Sequence, residues 1–378
     1  MPASTAPGSR AGRIRPILRL WHRAFGLTAA LWLLLLALTG SAIAFYDELD
    51  RWLNADLRQV DVATTMTTSV EGALHTAGAA LPGFVPRYID LPNRPGESLS
   101  MLGSAPLRGE TRAVQVFLHP ADGSLLGWRQ LEQVSLHPRH LMDTLYVIHT
   151  ELLLHETGVW LIGLLALLWL VDHFAAVGLA VPRLAAAWEA LLVRGRGLNL
   201  RRLYDLHRAP SLWLWPLTAT LALTGWCLSW YVETRALAGL VSPVSSRLHE
   251  AFPDVAATLP AGTSIDATIA TVRRQVDGDI DTVLVIPRKG AWGVRSFDAR
   301  DVDDFGRLWT YVSMADGSLM GQRHDIGSSA ADAFFAWQYP LHSGRAFGMT
   351  GKVLVALAGV GTAGLCITGV WLWWRRRR

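Results

Sequence analysis

Four long apolar runs alternate with two long stretches of mixed polarity along the chain. The runs cover about residues 24–46, 159–181, 209–232 and 353–374. Each has the roughly 20 residues that a helix needs to cross a ~30 Å hydrocarbon core. Only the second is interrupted by an ionisable pair, Asp172-His173, and Pro216 would kink the third without ending it. The mixed stretches, 47–140 and 233–340, are too long for connectors and should fold as domains. The expected order is therefore a basic tail (1–23), a first span (24–46) and an external domain (47–140). An outer helix extension with the second span (141–181), a loop (182–208) and the third span (209–232) follow. A second external domain (233–340), an extension with the fourth span (341–374) and a basic tail (375–378) complete the chain.

Within the external stretches the period changes. The first offers a helix near 68–80, then strand-like runs at 84–91, 97–103, 113–119 and 124–130, the last reached through an Asp122-Gly123 turn. The second offers a helix near 264–276 and strands near 281–286, 291–297 and 307–314, with a turn at Asp316-Gly317. Asp-Gly between β-rich runs is a hairpin signal. Two small α+β modules are expected, each with one helix on an antiparallel sheet.

The chain repeats itself. "HRAFGLTAALWLLLLALTG" from His22 is answered by "HRAPSLWLWPLTATLALTG" from His207, and "ADGSLLGWR" at 121–129 by "ADGSLMGQR" at 315–323. His149 precedes Gly158, and His342 precedes Gly351, by the same spacing. The matching offsets, 185, 194 and 193, hold register across half the chain. Both halves begin on the same side, so the repeat is parallel, with a pseudo-twofold axis along the membrane normal. That axis would bring His22 opposite His207 and His149 opposite His342.

Composition agrees with a membrane protein: 51% of residues are hydrophobic and 17 are tryptophan. The net charge of +4 rests on arginine, since lysine occurs only at Lys289 and Lys352. These basic residues flank apolar runs, which argues against nucleic-acid binding. They gather in the N-terminal tail, between the second and third spans, and at Arg375 to Arg378. Both termini should therefore be cytoplasmic and both long stretches external. "AIAF" at 42–45 could end a leader peptide, but the apolar run is long for one and has a second copy in mid-chain. The two cysteines, Cys227 and Cys366, lie inside apolar runs, which excludes a disulfide framework and a CxxCH haem attachment. There is no phosphate-cradling loop, no Ser-His-Asp set or HExxH, and no flavin or nicotinamide fingerprint.

The chemistry lies in the histidines. One histidine at a membrane interface usually anchors there, but His22, His207, His149 and His342 form two repeat-related pairs at different depths. Two imidazoles from facing helices can hold a haem iron, so two haem b groups are expected: one on His22 and His207 at the inner face, one on His149 and His342 at the outer. Small residues on the same stripes (Gly26, Ala30, Ala37 and Gly40; Ser211, Thr218, Ala222 and Gly225) leave room for such a group and equally suit plain helix packing. A rival set pairs His155 outside with His173 inside, on one face of the second span. Gly348 and Cys366 stand at the matching positions of the second half, so the symmetric set is favoured. His137 and His140 make a weak metal cluster, and His75, His119, His249 and His324 belong to no constellation.

"LWHRAFGL", "YVIHTELLLHETGVWLIGLLAL", "DLHRAPSLW" and "LHSGRAFGMTGKVL", with the "ADGSLLG" and "ADGSLMG" turns, resemble the PepSY-associated transmembrane family. The resemblance covers about 20–378 and implies a four-transmembrane helical bundle carrying two PepSY-like periplasmic domains. It also implies an iron-regulated, multi-pass protein of the bacterial inner membrane and, within the family, a dihaem reductase of ferric siderophores of the ferrioxamine, hydroxamate type. Carried over by position, His22, His149, His207 and His342 are the family-type histidines; His173 replaces a small residue. The expected function is electron transfer to Fe(III)-siderophore in the periplasm, releasing Fe(II), with quinol or a separate reductase as donor. A non-redox PepSY binding or regulatory protein, and a siderophore or haem permease, are the alternatives.

Overall fold

A computed structural model describes residues 10–181, 183, 185, 187–255 and 262–378. Residues 1–9 of the basic tail, and the side chains of Arg10 and Arg13, lie outside the described residues. The chain divides into two compact units. One comprises residues 1–44, 145–234 and 338–378; the other comprises 45–144 and 235–337.

The first unit is helical. Its elements are α1 (Arg10–Ile43), the second half of α2 (Pro138–Glu151), α3 (His155–Ala180), α4 (Leu200–Ser229), α5 (Gln338–Ser343) and α6 (Gly348–Arg375). α1 packs on α3 and α6, and α4 packs on the same two helices. Small residues bring the backbones close. Ser41 Oγ donates across to the Ala356 carbonyl at 3.0 Å, and a Cβ on Gly359 would stand 2.6 Å from the Ala37 oxygen. Such side chains are the means of helix association where lipid removes the hydrophobic drive.

Among the described residues, three stretches are long and apolar enough to cross a membrane: Ile14–Ile43, His155–Ala180 and Arg345–Arg375. The third expected span is a continuous 30-residue helix, α4, running through Pro210 and Pro216, but it is not among them. Its arginines, threonines and prolines dilute its apolar character. Helix α1 starts well before residue 24, so His22 lies inside a helix rather than before one.

The second unit is an antiparallel sheet: β1 (Val85–Asp90), β2 (Leu99–Leu107), β3 (Glu110–Leu118), β4 (Leu125–Gln130), β5 (Ile280–Ile286), β6 (Ala291–Ser296), β7 (Leu308–Ser313) and β8 (Leu319–His324). Each half is a helix, Val70–Ala80 or Ile265–Arg273, followed by a four-stranded meander. Where two separate modules were expected, β1 and β5 pair antiparallel, Ile89 opposite Val283, into one eight-stranded sheet. Joining the edges satisfies backbone groups that each module would leave bare. The helices share one core with the sheet, built on Val70, Ala77, Met101, Val116, Ile269 and Val294. Asp266 also caps the other helix, accepting from the Val70 and Glu71 N–H groups.

The two hairpin turns are alike in detail. Asp122 Oδ1 accepts from the Ser124 N–H and hydroxyl at 2.9 and 2.7 Å, and Asp316 Oδ1 from those of Ser318 at 3.1 and 2.7 Å. Gly123 and Gly317 both take φ +72°, the left-handed conformation that glycine adopts without strain.

Candidate functional site

The helical unit brings the four repeat-related histidines into two facing pairs. The ring centroids of His22 and His207 lie 6.1 Å apart, with the planes inclined at 56°. Those of His149 and His342 lie 6.2 Å apart, at 51°. The pairs sit at opposite ends of the bundle. His22 is 18 residues from Gly40, which touches His149, so about 27 Å of α1 separates them at 1.5 Å per residue.

Each ring is held at Nδ1 by an oxygen from a neighbouring helix. His149 Nδ1 is 3.0 Å from the Leu36 carbonyl, which can only accept, so Nδ1 carries the proton. Thr39 Oγ, 3.1 Å from the same nitrogen, donates its own hydrogen to the Leu35 carbonyl and also accepts. Thr224 serves His342 in the same way at 2.8 Å while donating to the Thr220 carbonyl. Thr368 serves His207 at 3.1 Å while donating to Gly364. At His22 the acceptor is a carboxylate, with the Asp172 oxygens 2.9 and 3.1 Å from Nδ1. With Nδ1 protonated, neutral imidazole presents its lone pair at Nε2.

Glycines make room for three of the rings. A Cβ on Gly40 would stand 2.7 Å from His149 Cε1, one on Gly369 3.1 Å from His207 Cε1, and one on Gly225 3.3 Å from His342 Cε1. Thr39-Gly40, Thr224-Gly225 and Thr368-Gly369 are therefore one device used three times: the hydroxyl fixes the tautomer and the glycine admits the ring. The sequence reading marked Gly40 and Gly225 but missed the threonines, although "LTG" stands in both halves.

The pairs fit a metal held between two imidazoles. Two metal–nitrogen bonds of about 2 Å, plus roughly 1.1 Å from each nitrogen to its ring centre, give about 6 Å between centroids. The indole N–H groups of Trp21, beside His22 in sequence, and of Trp226, beside Gly225, are buried without hydrogen-bond partners, as donors awaiting an acceptor would be.

The rival histidines are placed differently. Both nitrogens of His173 are engaged, Nδ1 with the Trp169 carbonyl at 2.7 Å and Nε2 with Thr218 Oγ at 2.9 Å, and the ring lies among Trp169 and Trp215. His155 opens α3 with a side chain 91% exposed, 3.6 Å from Glu151. In the sheet unit His137 accepts from the Arg139 N–H, and among the described residues no three His, Cys, Asp or Glu side chains gather as a metal cage. His249 meets the Tyr311 hydroxyl at 2.9 Å and His324 meets Asp301 at 3.0 Å, contacts the sequence did not announce.

A cavity of about 640 Å³ opens on the sheet unit beside Arg108, Arg112, Trp128, Arg139 and His140. Arg112 and Arg139 are paired with Glu110 and Asp56, so much of its positive charge is balanced. Behind it Arg129 is 2% exposed and doubly bonded to Asp50 at 2.7 and 3.0 Å.

The family model described as the PepSY-associated TM region matches residues 19–376. The chain belongs to this family. It is a membrane protein, in accord with its three apolar helices. No curated relative matches the chain. All four paired histidines, the three Thr-Gly steps and Asp172 fall within the span that defines PepSY_TM membership.

Proposed function

We propose that this PepSY_TM protein is a two-haem, b-type electron carrier of the bacterial inner membrane that reduces Fe(III) bound to a siderophore. The observation that supports the reading most is the pairing itself: two sets of facing histidines at metal-bridging separation, each locked at Nδ1 so that Nε2 keeps its lone pair. His22 and His207 would hold one haem, and His149 and His342 the other. A haem held by these imidazoles would supply one-electron chemistry.

The chain's own residues do the rest. Thr39, Thr224, Thr368 and Asp172 orient the ligands; the apolar helices keep water away; Gly40, Gly225 and Gly369 let the rings approach the backbone. With all four spans in the bilayer, both termini are cytoplasmic and the sheet unit is periplasmic. The siderophore, of hydroxamate type, is then met on that side. Ferric iron is the substrate: one electron converts it to Fe(II), which hard oxygen chelators hold far more weakly, and the metal leaves. The sequence carries no nicotinamide or flavin fingerprint, so the donor proposed is a quinol, whose two electrons reduce two ferric ions, or a separate reductase.

The test is a reduced-minus-oxidised spectrum of the purified protein, grown with ample haem. A b-type signal with two haems per chain is expected, reoxidised by ferric hydroxamate. A folded but colourless protein overturns the reading.

A further inference from the structure

The two histidine pairs are alike in separation and tilt but not in what holds them. Three of the four histidines donate to a threonine hydroxyl. His22 alone donates to a carboxylate, with Asp172 Oδ2 at 2.9 Å and Oδ1 at 3.1 Å. Asp172 is 6% exposed. Among the described residues its ion-pair partner is His22, and no arginine or lysine neutralises it. The asymmetry lies in the partner of one ring, at one end only.

We propose that Asp172 is a positioning residue that makes the His22–His207 site the lower-potential of the two. The inference rests on the reading that both pairs hold haem. A carboxylate accepting Nδ1–H draws the proton toward itself and leaves the imidazole more electron-rich and a stronger donor through Nε2. A threonine hydroxyl, spending its own hydrogen on a helix carbonyl, fixes the same tautomer without adding charge. A basic ligand with a buried negative charge behind it stabilises the ferric over the ferrous state, since the ferric state carries one more positive charge. The site backed by Asp172 therefore gives up an electron more readily than the site backed by Thr39 and Thr224. On the orientation proposed above, the carboxylate lies at the cytoplasmic end. Electrons taken from a quinol-class donor there are favoured toward the periplasmic end, where the ferric acceptor is met.

The experiment is a spectroelectrochemical titration of the full-length protein with both haems bound. The wild type should give two reduction waves, and His207→Ala should remove the lower one. In Asp172→Asn, which keeps an acceptor oxygen and drops the charge, the lower wave should move up while the other stays and haem content remains two per chain. Asp172→Glu should return it toward the wild-type value. An unmoved lower wave in a two-haem Asp172→Asn protein overturns the inference. Should that variant fail to assemble, Thr39→Asp carries the same test to the other site, whose wave must then fall; an unmoved wave overturns the inference. Wild-type protein without haem overturns the underlying reading instead, and is seen before any variant is made.

Discussion

The Cα hydrogen of Gly40 faces the ring of His149 so closely that a Cβ there would lie 2.7 Å from Cε1 and 3.3 Å from Nδ1. The neighbouring Thr39 anchors that same Nδ1 at 3.1 Å. One helical step of α1 thus fixes both the tautomer and the position of the ring.

Gly40→Ala should push His149 off its anchor and empty the His149–His342 site while leaving the other pair intact. Overpacking of this kind costs about 1–3 kcal/mol. The graded clearances, 2.7 Å at Gly40, 3.1 Å at Gly369 and 3.3 Å at Gly225, predict graded damage. Haem content should fall most in Gly40→Ala, less in Gly369→Ala and least in Gly225→Ala. Haem-to-protein ratios of the three purified variants check the order; equal ratios would remove the steric account.

In the sheet unit, Asp50 and Arg129 form a fully buried ion pair. Burial alone would lower the Arg129 pKa, but the hydrogen-bonded Asp50 carboxylate outweighs it and the guanidinium is held above its usual range. Asp50→Ala strands that charge, and such losses cost about 3–5 kcal/mol. Amide exchange in β3 and β4 should accelerate by orders of magnitude, while exposed pairs such as Arg112–Glu110, worth about 0–1 kcal/mol, should hardly matter when broken. Hydrogen-exchange mass spectrometry on both variants makes the comparison.

Different physics governs what the sequence could and could not announce. The long helices, the strands of the first meander, three of the four strands of the second and the Asp-Gly turns were legible because period, turn chemistry and repetition are local signals; the last strand, Leu319–His324, was not expected. The facing of His22 with His207 was legible because a repeat carries its own symmetry. The β1–β5 joint was not, because Ile89 opposite Val283 is a pairing of two edges that look apolar whether free or joined. The hold of Thr224 on His342 was equally hidden: threonine in an apolar run reads as filler, and only a third helix brings the imidazole to it. Asp172 stood out as an ionisable residue among apolar ones, yet its partner lies 150 positions away.

Burial lowers the pKa of His249 below its ordinary 6.5, and Tyr311, whose hydroxyl it meets, is raised by burial in turn. Above pH 6.5 the imidazole is neutral both folded and unfolded, and its contribution is fully present. As the pH falls below 6.5 the unfolded chain takes up a proton that the folded chain still refuses, so stability drops. Protection of the β7 amides, taken relative to their intrinsic exchange rates, should therefore fall between pH 7.5 and 5.5. His249→Gln, which can still accept from the Tyr311 hydroxyl, should flatten the dependence. A wild-type profile already flat over this range would show that His249 is not the titrating group.

His173 is the strongest rival to the paired histidines, being buried, intramembrane and next to Asp172. Its two nitrogens already have partners, the Trp169 carbonyl and Thr218 Oγ, and neither of these can be replaced by a metal without breaking a buried bond. In His173→Leu the Trp169 carbonyl keeps its place in the helix ladder and the Thr218 hydroxyl, released from Nε2, can donate to the Leu214 carbonyl. The substitution should cost about 1–3 kcal/mol for lost hydrogen bonds and leave two haems per chain, as should His155→Ala at its exposed position. His22→Ala and His207→Ala should each lose the same single haem, because each removes one side of one pair. Pyridine haemochrome assays on the four variants decide the matter: retention in the last two with loss in the first two would transfer the ligand role to His173 and His155.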